Sequence, residues 1–157
     1  MPRASAIVST VFGIGYFPAA QGTIMSAAAV PTGILIAMYG GGAIGLAGAA
    51  MIALAIGVVS CNEYVRDTGN PDPSECVIDE LAGQWVACAF VAFPPFGSIL
   101  PFALAFGLFL LFDIWKPWPV SWAEEKLPGG LGVMMDDIVA GVMAGIICFI
   151  VHYYQWL

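Results

Sequence analysis

The amino-acid sequence predicts an all-α fold: a polytopic membrane helix bundle with about five spanning helices and a short N-terminal interfacial helix. Composition is the first reason, because 61% of the 157 residues are hydrophobic and only 10% are charged. The mean hydropathy of +0.92 is also far above that of soluble domains. Segment length is the second reason, since a helix needs about 20 apolar residues to cross a bilayer. We expect a single integral-membrane domain over residues 1–157.

Five segments reach or approach the spanning length, and turn residues or charged loops separate them. Gly40 to Gly42 divide the first two segments, and Pro94-Pro95 divides the third from the fourth. The N-terminal stretch from Pro2 to Phe17 is apolar but short and interrupted by glycine. We expect it to lie on the membrane surface; a sixth, short span is the alternative. The predicted spans cover residues 22–39, 43–61, 77–93, 98–115 and 134–156.

The charged residues are confined to three stretches: Arg3, Glu63 to Glu80, and Asp113 to Asp137. With five spans, all three stretches lie on the same side of the membrane. That side carries every Lys and Arg, which favours a cytoplasmic orientation. The net charge of −7 disfavours binding to nucleic acid or to an anionic lipid surface. The opposite side carries C-terminal aromatic residues typical of an interfacial belt: Tyr153, Tyr154 and Trp156.

The first acidic pair, Asp79 and Glu80, opens the third predicted span. A carboxylate at a helix N-terminus gains only about 0.3–1 kcal/mol from the helix dipole. Burying an Asp at mid-membrane costs roughly 2.5–3.5 kcal/mol. A binding site therefore explains two adjacent acids at this position better than helix capping does. Gly83, four residues after Asp79, is expected to clear space over the same helical face.

Asp113 lies at the end of the fourth predicted span. Pro117 disfavours helical geometry at Lys116, so Asp113 falls in the last helical turn, where the dipole opposes a negative charge. An i, i+3 ion pair with Lys116 would contribute only about 0.2–0.5 kcal/mol. A carboxylate placed against both the dipole and the membrane indicates a bound cation.

The second acidic pair, Asp136 and Asp137, opens the last predicted span and repeats the first pair's pattern, with Gly141 four residues after Asp137. Neighbouring helical residues point about 100° apart. We therefore expect one acid of each pair to be a direct metal ligand. The other acid would support that ligand, act as a base or face solvent.

Together these acids predict a magnesium site on one face of the protein. Carboxylate oxygens without a nearby histidine suit Mg²⁺ rather than zinc, and the only histidine, His152, lies on the opposite side. The four cysteines show no metal-ligand spacing. The predicted metal ligands are Asp79, Glu80, Asp113, Asp136 and Asp137. A phosphate beside the metal would be held by Lys116 and by the polar groups that open the first span: Gly22, Thr23 and Ser26.

Four motifs follow one another along the chain. They are Gly22-Thr23 with the upstream Gly13 and Pro18, Val77-Ile78-Asp79-Glu80 with Gly83, Phe112-Asp113-Ile114-Trp115-Lys116-Pro117-Trp118-Pro119, and Gly129-Gly130 leading to Asp136-Asp137-Ile138-Val139-Ala140-Gly141. Together these motifs resemble the phosphatidylglycerophosphatase A family of bacterial membrane lipid phosphatases. Members often have Pro-Gly-Thr followed by Gly-Ser, where this chain has Gln21-Gly22-Thr23 and Met25-Ser26.

The resemblance implies Mg²⁺-dependent hydrolysis of phosphatidylglycerophosphate to phosphatidylglycerol and phosphate. It also implies a multi-pass protein of the bacterial inner membrane with a cytoplasmic active face.

One carboxylate would activate an attacking water; a covalent aspartyl-phosphate on Asp113 or Asp79 is the open alternative. The oligomeric state stays open, because the small residues from Ala43 to Ala55 could pack helices within or between chains. The expected catalytic residues are Asp79, Glu80, Asp113, Lys116 and Asp137.

Two other classes of protein place acids within membrane helices. CDP-alcohol phosphotransferases have closely spaced Asp-Gly and Ala-Arg motifs, which this arginine-poor chain lacks. A small cation- or proton-coupled transporter is the non-enzymatic alternative, because intramembrane acids often mark ion pathways. Such a pathway should carry ionisable groups at depth and on both sides. The acids of this chain stay near one side, so the sequence favours an enzyme.

Overall fold

The computed structural model describes residues 4–94 and 96–154, and all regular secondary structure in these ranges is helical. This confirms the predicted all-α class. The predictions for Arg3, Pro95 and Trp156, and for the ends of the segments that contain them, concern residues outside these ranges. The elements are α1 (Ala4–Ser9), a 3₁₀ turn (Ile14–Tyr16), α2 (Gln21–Tyr39), α3 (Gly42–Thr68), α4 (Ile78–Ala89), α5 (Leu100–Trp115), α6 (Val120–Lys126) and α7 (Gly129–Tyr153).

Three of the described helices, α2, α3 and α7, are long and apolar enough to cross a membrane. The bent pair α5 and α6 passes the same test as one unit, with an angle of 50° between the helices, and would be a fourth span. The segment predicted as a span over 77–93 is different. Its helix, α4, has only 12 residues because the chain turns after Ala89. Its length of about 18 Å is less than the roughly 30 Å of a hydrocarbon core.

α4 lies at the centre of the bundle, in contact with α2, α3, α5 and α7. Glycines allow α4 and α7 to approach closely. A Cβ added to Gly83 would lie 2.5 Å from the carbonyl oxygen of Asp137 and 2.7 Å from the ring of Phe109. A Cβ added to Gly141 would meet the carbonyl group of Gly83. Gly83 therefore leaves room on its face of α4, and the close approach of α7 fills that room.

The N-terminal stretch is not one continuous helix. Val11, Phe12 and Gly13 adopt left-handed conformations, with φ of 44°, 57° and 95°, and these stop the helix after Ser9. The short helix α1 packs against α3. The carbonyl oxygen of Ser9 accepts a hydrogen bond of 2.9 Å from the N–H of Val77, which fixes the N-terminal segment to the start of α4.

Large apolar side chains are exposed along the outside of the bundle, including Ile44, Ile52, Val59 and Ile114. Soluble monomers rarely expose extended apolar surface of this kind. The two C-terminal tyrosines that the structure describes, Tyr153 and Tyr154, are also exposed. The bundle therefore has the outer surface expected of helices that contact lipid.

Candidate active site

A cavity of about 290 Å³ lies at the end of the bundle where α2, α4 and α7 begin and where α5 ends. Acids from three separate helices meet in it. The structure thus brings together every predicted site residue except Ser26. The predicted residues that line the cavity are Gly22, Thr23, Asp79, Glu80, Asp113, Lys116, Asp136 and Asp137.

Three of these acids form a compact group. Asp79, Glu80 and Asp137 each offer a carboxylate oxygen, and the three oxygens all lie within 4.8 Å of one another. In the described part of the chain, Oε2 of Glu80 and Oδ2 of Asp137 are buried and have no hydrogen-bond partner. A buried acceptor without a partner is costly. The group, which we call the acid trio, therefore has the geometry and the unmet acceptors of a cation site.

Both acids of the first pair belong to the acid trio, although we expected only one direct ligand from each pair. Asp79 and Glu80 occupy the first turn of α4. The Glu80 N–H donates a hydrogen bond of 3.0 Å to Oδ1 of Asp79, which turns the Asp79 side chain back along the start of the helix. No preceding helical turn stands in the way at this position, so both carboxyl groups can reach the same point.

The second pair is divided between two neighbours. Asp137 is 3% exposed and joins the acid trio, whereas Asp136 is 7% exposed and pairs with Lys116. Oδ2 of Asp136 lies 3.0 Å from the Lys116 ammonium, and Oδ1 accepts a hydrogen bond of 2.9 Å from the Asp137 N–H. Asp136 is therefore occupied by interactions within the protein.

Lys116 directly follows α5 and has a left-handed backbone, with φ of 48° and ψ of 54°. This conformation is uncommon for any residue other than glycine. It closes the helix through a hydrogen bond of 2.9 Å from the Lys116 N–H to the carbonyl oxygen of Phe112. The ammonium forms ion pairs with Asp136 at 3.0 Å and Glu124 at 2.7 Å. The i, i+3 pair with Asp113 that the sequence offered is thus replaced by longer-range partners.

Asp113 lies in the last turn of α5, as predicted, and its half-buried side chain lines the cavity. Its carboxyl group interacts electrostatically with that of Asp137. It is not one of the acid trio. Asp113 is therefore a cavity acid that lies outside the acid trio.

The start of α2 forms another part of the cavity wall, next to Glu80. Gly22 and Thr23 lie in its first turn, where backbone N–H groups have no helical partner. A Cβ on Gly22 would collide with the carboxylate of Glu80, so only glycine allows this approach. Ser26 is one turn further on and fully buried, and its hydroxyl donates a hydrogen bond of 3.0 Å to the carbonyl oxygen of Gly22. This corrects the expectation that Ser26 binds phosphate.

The loop before α4 contributes cavity residues that we did not predict as site residues: Asp72, Pro73, Ser74 and Cys76. In the sequence, the acidic and hydroxyl groups of this loop are compatible with a binding site, but they are equally compatible with a solvated helix cap. A hydrogen bond with Cys61 and, after it, burial raise the pKa of the Cys76 thiol well above its usual range. These surroundings disfavour the thiolate form of Cys76, which is the form that acts as a nucleophile. His152 lines a separate pocket with Phe96 and Ser98.

The fold and the cavity define a class: an apolar helical protein with an acid-rich, lysine-containing site suited to phosphate chemistry. A family model described as phosphatidylglycerophosphatase A matches residues 7–152, and the chain belongs to this family. This confirms the resemblance found in the sequence motifs. The protein is therefore a phosphatase, which sets aside the transporter and the phosphotransferase.

Relatives cover almost all of the chain. Phosphatidylglycerophosphatase A of Escherichia coli K12 is 36% identical over 149 residues, which are 94% of this chain and 84% of that protein. The protein of the same name from Haemophilus influenzae Rd is 33% identical over 149 residues, 95% of this chain and 89% of that protein. A putative phosphatidylinositol-3-phosphatase of Bacteroides thetaiotaomicron is 35% identical over 153 residues, 94% and 92% of the two chains. No solved structure matches this chain with statistical significance.

Proposed function

We propose that this protein is a Mg²⁺-dependent phosphatidylglycerophosphatase that converts phosphatidylglycerophosphate to phosphatidylglycerol and inorganic phosphate in phospholipid biosynthesis. Family membership supports the activity, and the names of two relatives support the substrate. The third relative is named for a different lipid, but that lipid also carries a phosphate monoester on its headgroup. The single observation that carries the proposal is the acid trio in a cavity that also contains Lys116.

The residues of the cavity fit Mg²⁺. The acid trio supplies carboxylate oxygens alone, which are the ligands that this ion prefers. Two of its buried oxygens have no partner within the described residues, so a cation would satisfy them. Asp79, Glu80 and Asp137 would hold the ion, with Asp113 and Asp136 beside them. A bound Mg²⁺ would polarise the phosphoryl oxygens and offset the charge that builds on them during transfer.

The other cavity residues would bind and orient the phosphate. The Lys116 ammonium can donate hydrogen bonds to a phosphate oxygen in addition to its ion pairs, since an ammonium has three donors. The free N–H groups at the start of α2, around Gly22 and Thr23, can donate to another oxygen. These contacts would hold the phosphorus next to the acids, so that attack and departure of the lipid oxygen occur in line.

Asp113 is the acid best suited to a proton-transfer role, because it lines the cavity without belonging to the acid trio. In hydrolysis, a water oxygen bonds to phosphorus, the bond from phosphorus to the lipid oxygen breaks, and a carboxylate accepts the water proton. That carboxylic acid then returns a proton to the departing lipid oxygen, which leaves as an alcohol. The alternative is a covalent aspartyl-phosphate on Asp113 or Asp79. Rapid quenching with labelled substrate separates the routes: water attack predicts no labelled protein, and a phosphoenzyme predicts a burst of label.

The location that we propose is the bacterial inner membrane, with the cavity at the cytoplasmic surface. The apolar helices α2, α3 and α7 support a membrane protein. Arg66 lies at the end of α3, and Lys116 and Lys126 follow α5 and end α6, all near the cavity end. Positive residues favour the cytoplasmic side. A headgroup phosphate would then meet the cavity while the acyl chains stay in the bilayer.

The assay that tests the function measures phosphate release from phosphatidylglycerophosphate in detergent micelles. We expect release with Mg²⁺, loss of release with a chelator, and recovery when Mg²⁺ is restored. Phosphatidylinositol 3-phosphate in parallel micelles tests the substrate that the name of the third relative suggests. Phosphate release that persists in chelator, or faster release from the inositol lipid, would contradict the proposal as stated.

A further inference from the structure

Glu124 holds the Lys116 ammonium from outside the active-site cavity. Of the two carboxylates that pair with Lys116, Asp136 lines the cavity. Glu124, at 2.7 Å, is not among the described residues that line it. Glu124 instead lines an adjoining pocket of about 210 Å³ together with Asp72 and Asp136. The ammonium therefore lies between a carboxylate that lines the active-site cavity and a carboxylate that lines only the adjoining pocket.

The backbone of Glu124 is fixed relative to Asp136. Glu124 belongs to α6, whose Val120 and Ala123 side chains are fully buried. α6 packs against α7, the helix that carries Asp136. A Cβ on Gly132 of α7 would meet the carbonyl group of Leu127 and would lie 3.7 Å from the carbonyl oxygen of Glu124. The carboxylates of Glu124 and Asp136 therefore extend from backbone positions that are fixed relative to each other, and both contact the flexible Lys116 side chain.

A second partner matters because Lys116 shares its cavity with six carboxylates. The lysine stem is flexible, and its compact charge is attracted to any nearby anion. With Asp136 as its only partner, the ammonium could move toward other carboxylates of the cavity and leave the position where it meets a phosphate. A carboxylate outside the cavity opposes that movement. Partly exposed ion pairs add little to stability, so stability alone gives little reason for the Glu124 pair.

We propose that Glu124 is a positioning residue, which keeps the Lys116 ammonium at the rim of the cavity where it can contact the phosphate of the lipid substrate. The inference rests on the proposed phosphate-binding function of Lys116. It adds a residue that lies outside the sequence motifs through which the family resemblance was found. Glu124 does not need to touch the substrate, because it acts through Lys116.

The first test compares Glu124→Gln with the matched control Glu125→Gln, since Glu125 is the exposed neighbour of the same type on α6. We expect Glu124→Gln to raise KM for phosphatidylglycerophosphate about 3- to 10-fold, with kcat and the Mg²⁺ activation constant changed less than about twofold. Glu124→Asp keeps the charge and should recover part of the loss. Wild-type kinetics in Glu124→Gln, or an equal loss in Glu125→Gln, would overturn the proposal.

A double-mutant cycle shows whether Glu124 acts through Lys116. Glu124→Gln should change KM less than about twofold in a Lys116→Ala background. The same loss in both backgrounds would mean a general structural effect and would overturn the inference. If Lys116→Ala turns over too slowly, calorimetric affinity for inorganic phosphate in the presence of Mg²⁺ gives the same cycle. That binding cycle also separates the two proposals, because it can succeed even if phosphatidylglycerophosphate proves not to be the substrate.

Discussion

The two acidic pairs have the same pattern in the sequence but different surroundings in the structure. Asp79 and Glu80 lie in the first turn of α4, and both belong to the acid trio. Asp136 and Asp137 lie about two turns inside α7, where neighbouring side chains diverge by about 100°. Asp137 faces the trio, and Asp136 faces Lys116. Both the distance of an acid from the start of its helix and the face on which it lies therefore decide whether it joins the acid trio.

This difference predicts that substitutions of Asp79 and Glu80 reduce activity equally, whereas substitutions of Asp136 and Asp137 reduce it unequally. The first pair should behave as two ligands. The second should behave as one ligand and one residue that anchors a lysine. The predictions that follow test this division, beginning with the largest effect.

The largest losses, of more than about 100-fold in kcat/KM, are expected for Asp137→Asn, Asp79→Asn and Glu80→Gln, because each removes a carboxylate from the acid trio. Even the loss of a residue that only supports a metal ligand typically reduces activity or metal affinity about 10- to 100-fold. Asp136→Asn should cost about 10-fold less than Asp137→Asn, because its carboxylate is already paired with Lys116. Steady-state kinetics at saturating Mg²⁺ measure both, with Glu125→Gln as the control. Equal losses of kcat/KM in Asp136→Asn and Asp137→Asn would contradict the separate roles of these two acids.

Lys116→Ala should raise KM for the lipid by about 10-fold and leave the Mg²⁺ activation constant within about twofold. The reason is that the ammonium contacts Asp136 and Glu124 rather than the acid trio. Titrations of substrate and of Mg²⁺ on the same preparation measure the two constants. A larger effect on Mg²⁺ than on substrate would reverse the assignment.

Gly22→Ala should raise the Mg²⁺ activation constant by roughly 3- to 10-fold, the smallest effect in this series, because the new Cβ displaces the flexible Glu80 carboxylate. Gly48→Ala is the matched control, since no atom lies within 4 Å of its added Cβ. The measurement is Mg²⁺ activation of phosphate release. An unchanged constant in Gly22→Ala would show that Glu80 does not need the position it has beside α2.

Much of this arrangement could be predicted from the sequence, because charge is confined to the ends of long apolar segments. That pattern was sufficient to gather Asp79, Asp113 and Asp137 at one end of a helical bundle. The short length of α4 was not predictable from hydropathy, since the apolar residues continue beyond Ala89 while the helix does not. The apolar residues of a segment also do not show whether its helix lies at the centre of the bundle, as α4 does, or at its outer surface.

The details within the cavity depend on rotation and on distant partners, neither of which a linear pattern contains. Which acid of a pair faces the trio depends on where the helix begins and on how it packs. The ion pair of Lys116 with Glu124 forms across the turn between α5 and α6, and no spacing rule singles it out. Ser26 looked available beside Gly22 and Thr23, but one helical turn was enough to bury it.

Manganese binding tests the central claim most directly, because Mn²⁺ can replace Mg²⁺ at carboxylate sites and is visible by electron paramagnetic resonance. The wild-type protein should bind Mn²⁺ in competition with Mg²⁺. Asp79→Asn and Asp137→Asn should lose that binding, and Asp136→Asn should retain most of it. Undiminished Mn²⁺ binding in both Asp79→Asn and Asp137→Asn would contradict a metal site shared between the first turn of α4 and the acid two turns inside α7.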